Sequence, residues 1–449
     1  MTIMKEYRPT IGLEVHAELT TRTKMFCDSP NAPHAALPNT NICPVCMAHP
    51  GTLPVPNREA VHQVLRVGTA LGGTIADYSE FDRKSYFYPD IPKGYQISQY
   101  EHPLVTGGIL NCVAITRVHL EEDTARSSHD AGSGKSLVDF NRAGVPLMEL
   151  VTEPVIHDAE TAGKFARELQ LLLRTLGASH ANLEKGEMRI EANISVSTDE
   201  SFGTKVEVKN LNSFRSVERA IAFEVARQSK LIEEGGVVTQ ETRGWDEGKQ
   251  CTFSQRIKEG SADYRYFPEP DIPKMVLSEI PEFTHEALSA SLPELPWERR
   301  ARYLELGLKS ETSAYLADGL ARGEFFDTLA ELLQDTTLIT LAANYLVSDV
   351  AGWYAKQNVT EYEGLRPQTF AELILLTGSG ALSSRGTKDV LLAILEGAAG
   401  TPKEIATSKG LMQVNDPEVL RILVQEVLKE QADAVTEYRA GKESALQFL

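Results

Sequence analysis

Acidic and imidazole side chains occur in the first third of the chain in patterns that suit a bound divalent cation. Glu14 and His16 stand two residues apart, so on a strand both side chains would lie on one face. A carboxylate beside an imidazole suits a cation or an acid/base pair. A surface strand with two polar residues would give the same pattern, so this segment alone leaves both interpretations open.

Two further segments contribute carboxylates. Glu122 lies in a run of adjacent acids, 121–123, directly after a predicted strand, and such acids repel one another unless a cation or basic groups gather them. Glu149 and Glu153 are four residues apart in an extended segment, which places both on one face. Mg²⁺ takes carboxylates together with phosphate oxygens and waters, so these segments suit a site for ATP and its metal. Each segment could also be a solvated acidic loop, and the choices between Glu121 and Glu122 and between Glu149 and Glu153 stay open.

Cations and aromatic residues are interleaved in the segment 81–96. Arg83 and Lys84 are followed by Tyr86, Phe87 and Tyr88. This composition suits an unpaired RNA end, because bases stack on rings while cations bind phosphates. The alternative is a turn-rich loop whose rings fill a core.

The cysteines form half of a zinc motif. Cys43 and Cys46 have the C-x-x-C spacing, but Ser29 stands where a C-x-C partner of Cys27 would be. Structural zinc takes four ligands, and without a second cysteine pair we do not expect bound zinc. The remaining candidates for a fourth ligand are His34 and His49.

Composition limits the class of protein. A length of 449 residues predicts two to three domains. The N-terminal residues lack an apolar signal region and no stretch approaches about 18 apolar residues, so no membrane span is expected. Five cysteines, an odd and low number, favour the reducing cytoplasm. The net charge of −18 by itself argues against binding of RNA, and no DNA partner is expected; any RNA contact must be a local basic patch.

Periodicity predicts an α+β protein built on a mostly antiparallel sheet. Residues 113–120, 188–197 and 204–208 are predicted strands, and 158–177 and 213–235 are predicted helices. Prolines near 281–296 indicate a boundary, after which the chain is almost wholly helical, with a second break at 397–401. The helices predicted there are 296–306, 310–322, 323–333, 338–357, 366–377, 387–396 and 416–440.

Several long motifs follow one another between residues 11 and 273. They are IGLEVH at 11–16, PNTN at 38–41, CPVC at 43–46, RK at 83–84, YFYPD at 86–90, KGYQISQY at 93–100, VHLEED at 118–123, NRAGVPL at 141–147, KNLNSF at 209–214 and DYRYFPEPD at 263–271. In this order they resemble the B subunits of the bacterial tRNA-dependent amidotransferases (GatB). The length of the motifs makes the resemblance specific.

The resemblance implies a cradle-like catalytic domain, an all-α helical domain and a helical tail domain that binds tRNA. We place these domains at 1–293, 294–400 and 401–449, and we expect the tail to be shortened, since the chain ends at Leu449. ATP and Mg²⁺ are the implied cofactors. The implied partners are an amidase subunit (GatA), a small clamp subunit (GatC) and misacylated tRNA.

The implied reaction is phosphorylation of the side-chain carboxylate of Glu-tRNA(Gln), Asp-tRNA(Asn) or both, followed by attack of ammonia. Activation by ATP is needed because oxide is a poor leaving group, and a metal offsets charge in the transfer. The metal ligands would be Glu14, His16, Glu122, Glu149 and Glu153; Lys84 and Arg83 would bind the nucleotide; and the catalytic set would be Lys84, Tyr86, Glu149, Glu153 and Glu191. Glu191 stands where the family usually has Asp, which keeps the charge but moves it.

Two other functions compete with this one. The chain lacks a glutaminase nucleophile motif, so ammonia must come from a partner, and a non-catalytic scaffold that only places tRNA for that partner is the alternative function. The archaeal-type paralogue carries an additional domain between its cradle and helical parts. The sequence leaves no room for such a domain after Pro273. Which misacylated tRNA is used is not encoded in a recognisable pattern.

Overall fold

The computed structural model describes residues 7–35, 37–130, 134–257, 264–357, 362, 364–413 and 417–448. The chain divides into two compact units, Met1–Leu295 and Pro296–Leu449. The first unit contains the sheet and the second is helical. Within the described ranges, no helix is long and apolar enough to cross a membrane.

The first unit is built on a ten-stranded sheet that is antiparallel except for one pair. The strands of the unit are β1 (Arg8–Glu18), β2 (Thr74–Ile75), β3 (Tyr78–Ser79), β4 (Asp82–Ser85), β5 (Tyr95–Ser98), β6 (Val105–Thr106), β7 (Ile109–Leu110), β8 (Val113–Glu122), β9 (Arg126–Asp130), β10 (Lys135–Asp139), β11 (Pro146–Thr152), β12 (Met188–Ser197), β13 (Val206–Leu211), β14 (Glu241–Asp246), β15 (Cys251–Ile257), β16 (Phe267–Pro268) and β17 (Met275–Val276). The order in the large sheet is β15-β14-β13-β12-β1-β11-β8-β6-β2, and β7 pairs with β8. Only β13 and β14 of this sheet run parallel, so the predicted α+β class is confirmed.

The α-helices among the described residues of this unit are α1 (Arg58–Ala70), α2 (Ala159–Thr175), α3 (Phe214–Glu233) and α4 (His285–Ala290). The predicted start signals of two of them are in place. Asp158 caps α2, because its side chain accepts the N–H of Thr161, and Ser213 caps α3 by accepting the N–H of Ser216. α2 packs against α3, and α3 packs on β12. Together they position the central strands.

Side-chain alternation gives β1 two chemically different faces. Leu13, Val15 and Ala17 are buried, with at most 1% of their surface exposed. Glu14 and His16 point to the other side, because successive side chains of a strand alternate. One face therefore anchors the strand and the other carries polar groups.

Strand register then aligns the polar residues of neighbouring strands. His16 is the Cα partner of Glu149 on β11, and Glu149 is the partner of His119 on β8. On the other side of β1, Glu14 is the partner of Glu191 on β12. The central sheet thus brings ionisable groups from four strands together on one face.

The second unit is a set of short helices around one apolar core. They are α5 (Pro296–Glu305), α6 (Ser310–Ala317), α7 (Leu320–Leu333), α8 (Thr336–Tyr345), α9 (Ala351–Gln357), α10 (Pro367–Gly378), α11 (Ser384–Leu395), α12 (Pro402–Ser408), α13 (Pro417–Glu430) and α14 (Ala432–Arg439). Tyr303, Phe326 and Phe370 are fully buried in this core, and Ile405 of α12 lies in the same core.

Three of the predicted helices are divided in the structure. The predicted helix 310–322 breaks before Gly319, which lies between α6 and α7. The prediction 338–357 contains a π-helical turn, Leu346–Val350, between α8 and α9. The prediction 416–440 breaks at Gln431, between α13 and α14. Periodicity carried across these breaks, because apolar residues recur at nearly continuous helical spacing on both sides of each one.

Candidate metal centre

Glutamates and histidines from three strands meet on the polar face of the sheet. The Nε2 atom of His16 lies 3.3 Å from Glu149 Oε2, 3.7 Å from Glu14 Oε1 and 3.7 Å from Glu121 Oε1. His119 Nε2 lies 3.6 Å from the same Glu149 oxygen. Glu149 is the shared member, and it is 5% exposed. We call this group the acid–imidazole cluster.

The cluster has the donor set of a divalent-cation site. One ligand atom each from Glu14, His16 and Glu149 falls within 4.8 Å of the others, and so do atoms of His119, Glu121 and Glu149. His16 Nδ1 is buried and has no hydrogen-bond partner among the described residues. Carboxylate oxygens with an imidazole suit Mg²⁺ or Mn²⁺. These residues therefore fit the metal that the sequence motifs imply.

A second group of acids adjoins the first on the same face. Glu14, Glu191 and Glu207 each have an oxygen within 4.8 Å of the others. Lys209 Nζ lies 2.7 Å from Glu191 Oε2 and 4.0 Å from Glu207 Oε1, so one ammonium offsets part of this charge. The predicted Glu191 is thus a neighbour of the cluster through Glu14.

Burial and charge set the protonation of the cluster. Burial and the charges of Glu149 and Glu191 raise the pKa of Glu14 to about 7. Burial alone would lower the pKa of His16, but its hydrogen bond and charge interactions with Glu149, Glu14 and Glu121 raise it to about 9. Burial lowers the pKa of His119 to about 4. Without a metal, a proton on His16 holds these acids together, which is the role a cation would take over.

The acid run 121–123 divides between two sides of the sheet. Glu121 points into the cluster, where Ser98 Oγ donates to its Oε2 at 3.1 Å. Glu122 points away: its Oε1 accepts the N–H of Ile97 and lies 2.6 Å from Lys93 Nζ. The structure therefore brings Glu121, and not the predicted Glu122, to the metal candidates, because alternation along β8 separates neighbours.

Glu153 is also separated from the cluster. The ladder between β11 and β8 shifts register between Val151 and Thr152, so the alternation that would carry Glu153 to the side of Glu149 is interrupted. Glu153 Oε1 accepts a hydrogen bond of 2.8 Å from Thr116 Oγ1. Of the predicted metal ligands, Glu14, His16 and Glu149 come together, and Glu122 and Glu153 do not.

The predicted cations Arg83 and Lys84 face different surroundings. Arg83 forms a bidentate salt bridge with Glu269, with Nε 2.6 Å from Oε2 and Nη2 2.8 Å from Oε1. Its Nη2 also lies 3.1 Å from Asp271 Oδ2. Lys84 has no ion-pair partner among the described residues, and its Nζ lies 5.1 Å from the ring centre of Tyr264. Arg83 therefore fixes the 269–271 segment, while the ammonium of Lys84 is available to a ligand.

Charges of the acid–imidazole cluster shift the pKa values of Lys84 and Tyr86. Burial lowers the pKa of Lys84, but Glu121, Tyr266 and Glu149 outweigh it and the pKa is raised. Burial raises the pKa of Tyr86, with Lys84 opposing. Tyr86 contacts Tyr88 and Tyr264 edge to face, at ring-centre distances of 5.8 and 6.2 Å. A cation and a group of tyrosines thus stand beside the acids.

Three of the five cysteines form a cluster separate from the acid–imidazole cluster. Sγ atoms of Cys27, Cys43 and Cys46 lie within 4.8 Å of one another. Ser29 Oγ is 4.0 Å from Cys46 Sγ, and the buried Lys24 places its Nζ 3.8 Å from the same sulfur. A hydrogen bond from Cys27 and the charge of Lys24 help to lower the pKa of Cys46 to about 5. A hydroxyl and an ammonium stand beside the three thiols, and neither is a usual zinc ligand.

Sequence reasoning missed His119 as a member of the site. The signal was present, because His119 and Glu121 have the same two-residue spacing as Glu14 and His16. Asp123 continues this series and accepts a hydrogen bond of 2.8 Å from Arg189 Nη1. A period of two from His119 through Asp123 would have placed all three side chains on the same face as the cluster.

The fold and this site define an α+β protein with an acid–imidazole metal candidate next to aromatic residues. The model of the GatB/GatE catalytic domain matches residues 9–281, and the model of the GatB domain matches residues 324–449. The chain therefore belongs to the family of amidotransferase B subunits.

Three curated relatives match this chain over 99–100% of its length. The B subunit of the aspartyl/glutamyl-tRNA(Asn/Gln) amidotransferase of Thermomicrobium roseum is 46% identical, over 99% of this chain and 94% of that protein. The protein of the same name from Crocosphaera subtropica is 41% identical, over 100% of this chain and 93% of that protein. The chloroplastic/mitochondrial B subunit of the glutamyl-tRNA(Gln) amidotransferase of Physcomitrium patens is 44% identical, over 100% of this chain and 82% of that protein.

Proposed function

We propose that this chain activates the side-chain carboxylate of Glu-tRNA(Gln), Asp-tRNA(Asn) or both with ATP and amidates it with ammonia. The observation that carries the proposal is the acid–imidazole cluster beside the ammonium of Lys84. The names of the relatives support the substrates, since they specify aspartyl- and glutamyl-tRNA.

The charge of each side chain in the site determines the role that we propose for it. Glu14, His16, Glu121 and Glu149 would hold Mg²⁺, which when bound neutralises charge on the phosphates. Lys84 binds phosphate oxygens, and Tyr86 orients the aminoacylated end by ring contact. Arg83 holds the 269–271 segment and with it the neighbouring tyrosines. Glu191 acts through Glu14, whose pKa it raises.

The bonds made and broken follow from this arrangement. A carboxylate oxygen attacks the γ-phosphorus of ATP, and ADP leaves. Ammonia then attacks the acyl carbon, inorganic phosphate leaves and the nitrogen loses a proton. Ammonia would come from a partner, because the sequence has no glutaminase nucleophile motif. The family resemblance implies that this partner is an amidase subunit and that a small third subunit holds the pair.

The test is tRNA-dependent ATP hydrolysis by the chain assembled with its amidase and clamp subunits. We expect His16→Ala and Glu121→Gln to reduce hydrolysis at least about 100-fold at any Mg²⁺ concentration, with tRNA affinity within about twofold. The matched control is Glu160→Gln, an exposed carboxylate of the same unit. Near-normal hydrolysis in both variants would place the chemistry elsewhere. A wild-type complex that binds tRNA but shows no tRNA-dependent hydrolysis would identify a scaffold.

A further inference from the structure

An open pocket of about 420 Å³ in the first unit is bordered by basic side chains. The residues that matter to its chemistry are His34, Arg126, Arg142, Lys185, Glu184 and Asn212. The chain as a whole carries a net charge of −18. Three permanent cations around one pocket are therefore a local reversal of the overall charge, and we call this site the basic pocket.

Two of these cations are available to a ligand. Among the described residues, Arg126 Nη2 contacts a ring nitrogen, His34 Nδ1 at 3.2 Å, and no described carboxylate pairs with it. Lys185 has no ion pair with any described residue, and both side chains are exposed. Arg142 is partly committed, because it donates to the carbonyl oxygens of Thr124 and Ala125.

The cations of the basic pocket contribute to a lowered pKa of His34. Burial lowers the pKa of His34, and Arg126, Lys185 and Arg142 lower it further against the opposing effect of Glu187. The three cations are thus close enough to act together on one position. A doubly or singly charged oxyanion placed there would relieve their mutual repulsion.

Two ion pairs and one strand pairing lead from the basic pocket to the acid–imidazole cluster. Arg142 Nε lies 3.7 Å from Asp123 Oδ2, and Arg189 Nη1 lies 2.8 Å from the same oxygen. Arg189 is the Cα partner of His16 on β1. A ligand that fills both sites would therefore extend along this chain of residues, with an anionic group at the basic pocket.

We infer that the basic pocket binds a backbone phosphate of the RNA acceptor end while the aminoacyl carboxylate lies at the acid–imidazole cluster. This inference rests on the proposed function. An RNA strand carries phosphates at regular intervals away from its reacting end, so it can reach both sites at once. ATP is the other source of phosphate, but its phosphates are needed beside Lys84 and the metal. The basic pocket therefore supplies affinity and position, and Arg126 and Lys185 are its positioning residues.

The experiment measures binding of an RNA acceptor-stem hairpin with a single-stranded 3′ end to the full chain assembled with its partner subunits. The variants are Lys185→Gln alone and Arg126→Gln with Lys185→Gln. We expect the double variant to bind about tenfold more weakly and the slope of log affinity against log salt to fall by about 1 to 2. The matched control is Lys164→Gln with Lys249→Gln, which removes the same charge from exposed lysines of the same unit.

ATP affinity separates the two sources of phosphate. Unchanged ATP affinity with weakened RNA binding supports the inference. Weakened ATP binding with unchanged RNA binding would assign the pocket to the nucleotide, and unchanged binding of both would leave the pocket without this role. Because the readout is binding, it remains valid even if the wild-type complex fails the ATP hydrolysis test of the proposed function.

Discussion

Glu18 and Asp123 are buried carboxyl groups that stand side by side next to the acid–imidazole cluster. They are 7% and 5% exposed, and they share a hydrogen bond, which requires a proton on one of them. Burial would raise the pKa of Asp123, but Arg189 and Arg142 outweigh it and lower the pKa. Burial and the charge of Asp123 raise the pKa of Glu18 to about 8. The proton therefore resides on Glu18.

This assignment predicts a stability change with a defined pH dependence. Because the folded pKa of Glu18 lies above its ordinary value of 4.5, its contribution to stability is complete below 4.5 and is lost as pH rises through about 8. Glu18→Gln keeps a hydrogen-bond donor and removes the titration, so we expect it to stabilise the protein by roughly 1–3 kcal/mol at pH 9 and by almost nothing at pH 4.

Thermal or urea unfolding at both pH values measures this difference, with the exposed Glu160→Gln as the control. Destabilisation by Glu18→Gln at pH 9 would mean that the proton resides elsewhere.

The three-cysteine cluster offers a second test at the scale of single residues. The three thiols have Ser29 where a fourth thiol would be, and Lys24 contributes a positive charge that repels a cation. We expect the protein to contain no stoichiometric zinc, and Ser29→Cys to gain affinity for it, because four thiolates complete a structural site. Elemental analysis and a chromogenic chelator measure both. One equivalent of zinc in the wild-type protein, lost in Cys43→Ser, would contradict this expectation.

Which single residues could be predicted depends on strand alternation. Glu14 and His16 were found because their spacing of two survives in β1. The choice between Glu121 and Glu122 stayed open, because it depends on which face β8 turns to the cluster. The spacing of four placed Glu153 on the side of Glu149, because no local sequence pattern indicates the register shift between Val151 and Thr152. His34, Arg126 and Lys185 come from three distant segments, so only the folded chain brings them together.

At the scale of elements, local signals predicted the outer bounds of helices better than the breaks within them. Asp158 and Ser213 cap α2 and α3 as expected, because capping depends on one side chain and the next turn. Periodicity missed the breaks at Gly319 and Gln431, because apolar residues continue on both sides of each break. The strand 188–197 was predicted with its observed bounds, whereas the order of strands in the sheet is a property of the tertiary fold.

Packing of α1 on the sheet depends on one glycine. A Cβ added to Gly68 would lie closer than 3.0 Å to both γ carbons of Val105 on β6. We therefore expect Gly68→Ala to destabilise the first unit by about 1–3 kcal/mol, because neither backbone can move without disturbing its neighbours. Denaturant unfolding monitored by circular dichroism measures the change.

The same substitution elsewhere is the control. Gly352 lies in α9, and an added Cβ there meets nothing within 4 Å. Gly352→Ala should be neutral or stabilising by about 0.5–1 kcal/mol, because alanine favours a helix. Val105→Ala should recover part of the loss in Gly68→Ala, and an additive double variant would contradict the proposed contact.

At the scale of the whole molecule, a strongly acidic chain must bind a polyanion through local features. Long-range electrostatic attraction of RNA is unfavourable at a net charge of −18, so under the proposed function affinity for tRNA would come from the basic pocket, the tyrosines near Lys84 and the tail. Binding spread over such contacts is expected to be strongly salt-dependent but selective against other polyanions. The net charge, which by itself argued against RNA, is compatible with this arrangement.

Within the tail domain, 401–449, the helices α13 and α14 pack least on the core of the second unit. The large apolar side chains of α13 that the structure describes are 37–56% exposed; they are Leu420, Ile422, Leu423, Val424, Val427 and Leu428. In contrast, Ile405 and Ala406 of α12 lie in the helical core, and Gln413 N donates to Ala381 O at 2.9 Å. A cut near Gly400 would therefore damage the core, whereas a cut after Gln413 removes α13 and α14 and leaves it whole.

We expect the chain that ends at Gln413 to bind full-length tRNA about tenfold more weakly, a loss of about 1.4 kcal/mol. The reason is the role of the tail domain implied by the family motifs, in a segment that the GatB domain model matches. ATP hydrolysis with a short aminoacylated acceptor mimic should stay within about twofold of wild type, because the acid–imidazole cluster and Lys84 lie in the first unit. The melting temperature serves as the control for the remaining core. If tRNA affinity is unchanged while the core stays folded, α13 and α14 do not bind RNA, and contacts of residues 1–413 must account for the whole affinity.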